Sequence, residues 1–156
     1  SIALVRGRGW VASELERLGI QIIFRDCKGS LNVTFLKALI EIIKTEKVDI
    51  IQSHLLGSNV YASIAGLITR TPVVSTFHGF VDVSNKERFR FAKFLFIKLG
   101  SSKVIAVTNQ IADMLVRDTS LGKANVHVIA NGVDTNFLLQ RMVIVKLIIH
   151  LWLVVW

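Results

Sequence analysis

Cysteine and proline are almost missing: the 156 residues hold one of each, Cys27 and Pro72. A single cysteine excludes an internal disulfide framework and any multi-cysteine metal site, and it suits a reducing compartment. One proline, beside 52% apolar and 19% charged residues, excludes a disordered tail or a low-complexity linker and leaves ample material for one core. Acidic residues are also scarce, 11 against 19 Lys and Arg, a formal charge of +8. That balance favours anionic partners such as phosphates or an acidic lipid surface. No nucleic-acid-binding motif accompanies it, so nucleic acid is not expected. From Thr135 to Trp156 acidic residues are absent altogether. The run RMVIVKLIIHLWLVVW, broken by Arg141, Lys146 and His150, falls short of the roughly 20 apolar residues a membrane-spanning helix needs. Residues 138–156 are therefore read as an apolar tail that is buried, lies on a membrane or aggregates. No secretory signal is visible, and Ser1 leads straight into a strand-like run, so the chain is expected to begin inside a longer protein.

What is present is an alternation of short apolar runs with longer amphipathic ones. Strands are expected at Ile2–Val5, Ile20–Phe24, Asp49–Gln52, Pro72–Phe77, Lys103–Val107 and Val126–Ile129. Helical spacing is found in Trp10–Leu18, Leu31–Lys44, Ser58–Arg70, Lys86–Leu99 and Gln110–Arg117. Strands apolar on both sides, separated by helices, indicate an α/β fold: a Rossmann-like parallel sheet with helices on both faces and right-handed crossovers. In such sheets ligands lie beyond the carboxyl ends of the strands, so the residues just after each run are the candidates.

Those positions carry few reactive groups. Gly7 and Gly9 follow the first strand, but no third glycine continues a phosphate-cradling pattern, and a plain strand-to-helix loop is the simpler reading. Ser53-His54 and Thr76-Phe77-His78-Gly79 each bring a histidine to a strand end. An imidazole there can hydrogen-bond a sugar hydroxyl or phosphate, or it can tie down the loop backbone. No carboxylate or cysteine joins the two histidines at ligand spacing, so no metal is expected. His127, within VHVI, reads as structural or solvent-facing, and His150 lies in the tail. Lys86–Leu99 interleaves Arg88, Arg90, Lys93 and Lys98 with Phe89, Phe91, Phe94 and Phe96; it suits an anionic membrane interface, or a core helix with one basic face. In VIANGVDTNF, Asn131-Gly132 signals a turn, and Asp134 can cap a following helix.

Five segments taken in order, RGRGWVASELERLGIQI, VDIIQSHLLGSNVYASIAG, TPVVSTFHGF, KVIAVTNQIADML and VHVIANGVDTNF, resemble the amino-terminal half of family 4 glycosyltransferases, retaining enzymes of the GT-B fold. The resemblance runs from about Ser1 to Phe137, taken as one domain. It implies two Rossmann-like domains facing a cleft, the first mainly for the acceptor and the second for the nucleotide-sugar donor. It places His78 on the family's cleft histidine near the transferred sugar and makes it the catalytic candidate. Ser53, His54, Gly79 and Asn109 fall on the acceptor-binding rim, and Asn131, Gly132 and Asp134 on the donor-proximal hinge. The nucleotide-sugar is a co-substrate, with no cofactor and no metal expected. The resemblance also implies a cytoplasmic protein, peripheral on the inner membrane face.

The sequence departs from that pattern at both ends. The family's opening strand with its glycine-rich loop does not appear ahead of Ser1, and the carboxy-terminal donor domain with its paired glutamates does not appear after Phe137. The expectation is a fragment lacking both, with MVIVKLII composed suitably to fill the vacant place in the sheet. The function implied is sugar transfer from a nucleotide-sugar to a hydroxyl acceptor of envelope or lipid-linked type, with retention. The alternatives are a non-catalytic acceptor- or membrane-binding module and an inactive truncated remnant.

Overall fold

The computed structural model describes residues 1–5, 7–27, 32–80 and 89–132, and the backbone of 154–155. The apolar runs form strands β1 (Ile2–Val5), β2 (Gln21–Phe24), β3 (Ile51–His54), β4 (Val73–Phe77), β5 (Lys103–Ala106) and β6 (Val126–Val128). Between them lie helices α1 (Trp10–Arg17), α2 (Val33–Thr45), α3 (Leu56–Thr69), α4 (Arg90–Gly100) and α5 (Asn109–Asp118). Polar caps start two of the helices where the spacing placed them. Asn32 accepts the Phe35 N–H at 2.9 Å, and Thr108 accepts the Ile111 N–H at 3.2 Å.

A seventh strand, β7 (Val154–Val155), completes a sheet of order β2-β1-β7-β3-β4-β5-β6 in which every pairing is parallel. β7 lies between β1 and β3, with Val155 in register with both Leu4 and Ser53. In a doubly wound sheet this central place belongs to the first strand of the fold. The expectation that the tail would supply a strand here is met by its last residues; MVIVKLII itself lies outside the described residues.

The two faces of the sheet are covered unequally. Helices α2 to α5 pack on one face, through Phe35, Leu39 and Ile43 against Leu4, Ile51 and Val73, and through Phe94, Ile97, Ile111 and Leu115 against Phe77, Val104 and Ala106. On the opposite face α1 sits over β1 and β2, where Ala12 and Leu15 meet Ala3 and Val5. Among the described residues no helix covers that second face over β3, β4 and β5. The connections travel outward from the central place in both directions, which is why right-handed crossovers put α1 alone on its side.

β3 begins and ends two residues later than the hydrophobic pattern indicates. Its pairing opens with the Ile51 N–H on the Pro72 carbonyl (2.9 Å) and extends through Ser53 and His54. Polar residues are tolerated in a central strand because their groups are satisfied. Ser53, fully buried, donates to Asn59 Oδ1 at 2.7 Å, and Asn59 Nδ2 donates to the Thr76 carbonyl at 3.1 Å. Ser75 and Ser63, also buried, meet at Ser101 through contacts of 2.7 and 3.0 Å. These hydroxyls stitch β3 and β4 to α3 and to the end of α4.

Candidate functional site

Alternate residues of three adjacent strands share the uncovered face: Gln52 and His54 from β3, Thr76 and His78 from β4 and just beyond it, Ile105 and Val107 from β5 and just beyond it. They form the floor and wall of a cavity of about 230 Å³, closed on the far side by Ile129, Ala130, Asn131 and Gly132 after β6. The segment is held against the sheet edge by the Ile129 N–H on the Ala106 carbonyl, 3.0 Å. The cavity thus lies at the carboxyl ends of the strands, beside the point where the strand order reverses. Gln52, Thr76, His78 and Asn131 offer hydrogen-bonding groups, and Ile105, Val107 and Ile129 offer an apolar wall. None of the lining residues is an acid, a lysine or an arginine.

The two histidines meet at its centre. His54 Nδ1 and His78 Nε2 are 2.7 Å apart, with ring centroids 5.0 Å apart and planes at 30°. The separation of the centroids shows that the rings meet edge to edge along the nitrogen–nitrogen line; face-to-face rings would lie closer. Two lone pairs, or two N–H groups, would repel at that distance, so one proton lies between the rings. His54 is only 2% exposed. Burial, and secondarily the charge of His78, lowers its pKa from the ordinary 6.5 to about 4. His54 therefore stays neutral at physiological pH. His78 is the more accessible partner, and Nδ1 is its ring nitrogen not engaged by His54.

The backbone beside the pair is strained. Leu55 adopts φ 69° and ψ 154°, a region natural to glycine. It is held there from both sides, by its own N–H on the Thr76 carbonyl (3.1 Å) and by the Asn59 N–H on its carbonyl (2.9 Å). The turn directs the chain from β3 into α3 without moving His54 away from His78.

Of the residues singled out in the sequence, His54, His78, Asn131 and Gly132 come together at the cavity. Ser53 points to the other face, buried against Asn59. Gly79 follows His78 and Asn109 is the first residue of α5, exposed; neither lines the cavity. Asp134 lies outside the described residues. Sequence reasoning missed Gln52, Thr76 and Ile105. The signal for the first two was available in the two-residue period, since each stands two positions before a histidine; Ile105 is placed by cross-strand register alone. Among the described residues no three His, Cys, Asp or Glu side chains converge as a metal site, and no helix is long and apolar enough to cross a membrane.

The sequence model of Glycosyltransferase Family 4 matches residues 4–137. A curated relative from Escherichia coli, UDP-Gal:alpha-D-GlcNAc-diphosphoundecaprenol alpha-1,3-galactosyltransferase, is 26% identical over 116 residues, which make up 69% of this chain and 30% of the relative. Among solved structures, Anabaena Alr3699/HepE in complex with UDP and glucose superposes with a TM-score of 0.69 at 20% identity, over 86% of this chain and 38% of that one. A glycosyltransferase from Rickettsia africae superposes with a TM-score of 0.72 at 24% identity, over 87% and 36%. The chain spans about a third of the length of the relatives it matches.

Proposed function

The chain belongs to Glycosyltransferase Family 4, and from that premise we propose that it forms the acceptor-facing half of an enzyme that transfers a sugar from a nucleotide diphosphate donor to a hydroxyl of a lipid-linked glycan, with retention of configuration. The observation that carries this reading is the cavity centred on His78, inside the family-matched segment and at the carboxyl ends of β3 to β5. Its volume is below the roughly 300–1,000 Å³ of sites for drug-sized ligands, which suits one sugar ring. Its lining alternates hydrogen-bonding groups with apolar wall, as the hydroxyl edge and the C–H faces of a sugar require. Within it His78, braced by His54, hydrogen-bonds the ligand and stabilises charge as the bond to the leaving diphosphate breaks. A nucleotide-sugar partner is in keeping with the UDP and glucose in the Anabaena structure and with the UDP-Gal of the Escherichia coli enzyme's name.

The test uses the chain itself. Titration with a short-chain polyprenyl-diphosphate-linked GlcNAc, followed by NMR of the histidine rings and backbone, is expected to shift His78, Gln52 and Asn131. In His78→Ala the affinity for this probe falls at least tenfold, measured well below a melting temperature that the loss of the partner of His54 Nδ1 lowers by a few degrees. Shifts confined to other surfaces, or equal affinity in His78→Ala, would remove the cavity from the reaction.

The lipid part of the proposal rests on α4. Phe91, 75% exposed, Leu95, Leu99 and Phe96 form an outward apolar stripe bordered by Lys98, while Phe94 and Ile97 anchor the helix in the core. Such a face lies in an anionic bilayer interface with its rings below the headgroups and its cations among them. The single cysteine, Cys27, suits the cytoplasmic side. Co-flotation with vesicles containing phosphatidylglycerol is expected, weaker at high salt, and lost in Phe91→Glu/Leu99→Glu. Unchanged flotation of that variant would assign membrane contact elsewhere.

A further inference from the structure

Thr76 is a cavity residue whose hydroxyl the fold does not use among the described residues. The residue is 4% exposed, and its hydroxyl is buried without a hydrogen-bond partner among the described residues. Its backbone is fully used: the carbonyl receives both the Leu55 N–H at 3.1 Å and Asn59 Nδ2 at 3.1 Å. The register places it between His54 on β3 and Ile105 on β5, on the face that lines the cavity, one alternation before His78. A buried hydroxyl with no partner costs stability, and a β-branched valine would fill the same space without that cost. A ligand entering the cavity that this residue lines can supply the missing partner.

We propose that the Thr76 hydroxyl is a ligand-binding group of this cavity, hydrogen-bonding a hydroxyl of the sugar ring that also contacts His78. The inference rests on the reading of the cavity as a sugar site. A hydroxyl both donates and accepts, so it pairs with a sugar hydroxyl in either sense. A site built to hydrogen-bond such a group also rejects analogues that lack it, because Thr76 would then stay buried and unpaired. Thr76 thereby contributes to specificity for the hydroxylated ring over its deoxy analogue.

The isostere Thr76→Val tests this through two readouts of opposite sign. Without ligand, Thr76→Val is expected to melt about 2–6 °C higher than the natural chain, since an unsatisfied buried hydroxyl is removed. With the polyprenyl-diphosphate-linked GlcNAc probe, its affinity falls at least tenfold, whereas Thr76→Ser, which keeps the hydroxyl, stays within about threefold. A lower melting temperature in Thr76→Val would show that the hydroxyl has a structural partner and overturn the proposal. Affinity unchanged in Thr76→Val would overturn it too, while leaving the sugar reading intact. If the natural chain binds neither this probe nor UDP-glucose at the cavity, the sugar reading fails and the role of Thr76 falls with it; the melting comparison still reports whether the hydroxyl is an orphan.

Discussion

Replacing Gly100 by valine is expected to destabilise the fold by at least about 3 kcal/mol, at the upper end of what overpacking costs. Gly100 closes α4 where the helix crosses α3. A Cβ built there would stand 2.2 Å from the Ser63 carbonyl oxygen and 2.6 Å from its carbon. Both are main-chain atoms in the middle of α3, so no rotamer change relieves the clash; one helix has to move. Movement separates Ser63 from Ser101 and Ser101 from Ser75, breaking the hydroxyl contacts that join α3, α4 and β4 in the interior. It also loosens Phe94 and Ile97 from the core they share with Phe77. The opposing term is small: alanine or valine is the better helix former by up to about 1 kcal/mol. Gly57, in the first turn of α3, isolates that term, because a Cβ there meets nothing within 4 Å. Gly57→Ala is expected to be neutral or stabilising by up to about 1 kcal/mol. Urea unfolding of the two variants beside the natural chain measures both. Equal midpoints for Gly100→Val and the natural chain would mean that α3 and α4 do not cross this closely.

How far the sequence could lead is visible in particular residues. β1 is a continuous apolar run, β4 and β5 are apolar over most of their length, and α1, α2 and α5 carry their periodicity plainly, so the layered α/β arrangement follows from hydrophobic pattern. β3 is displaced from its expected place because pattern reading ends a strand at polar residues. It cannot know that Asn59 waits on α3 for Ser53, or that His78 waits across β4 for His54. The cavity has the same character. Both histidines are conspicuous at strand ends, yet Thr76 and Gln52 become site residues only when the register sets their alternation beside them. Ser53 drew attention as the neighbour of His54, but adjacency in a strand means opposite faces. Pairing of Val155 with Leu4 spans almost the whole chain and leaves no local trace.

Acidification should weaken the fold through His54. Its pKa is near 4 in the folded chain against an ordinary 6.5, so between these values the unfolded chain holds a proton that the folded chain refuses. Stability from this source is complete above pH 6.5 and declines as the pH falls toward 4. The whole interval amounts to about 3 kcal/mol, at about 1.4 kcal/mol per pH unit. The upper part of the interval isolates the histidine, since carboxylates remain ionised from pH 6.5 to 5. In His54→Gln the loss between pH 6.5 and 5 is expected to shrink by about 1.5 kcal/mol, roughly half of the whole interval, whatever the absolute stability of the variant. Urea midpoints at half-unit intervals of pH provide the slope, and a slope as steep in His54→Gln as in the natural chain would assign the effect to another group. The same burial matters for the cavity. His54 stands 2.7 Å from His78 Nε2 through its Nδ1 and stays neutral near pH 7, so it adds no positive charge beneath the more accessible ring.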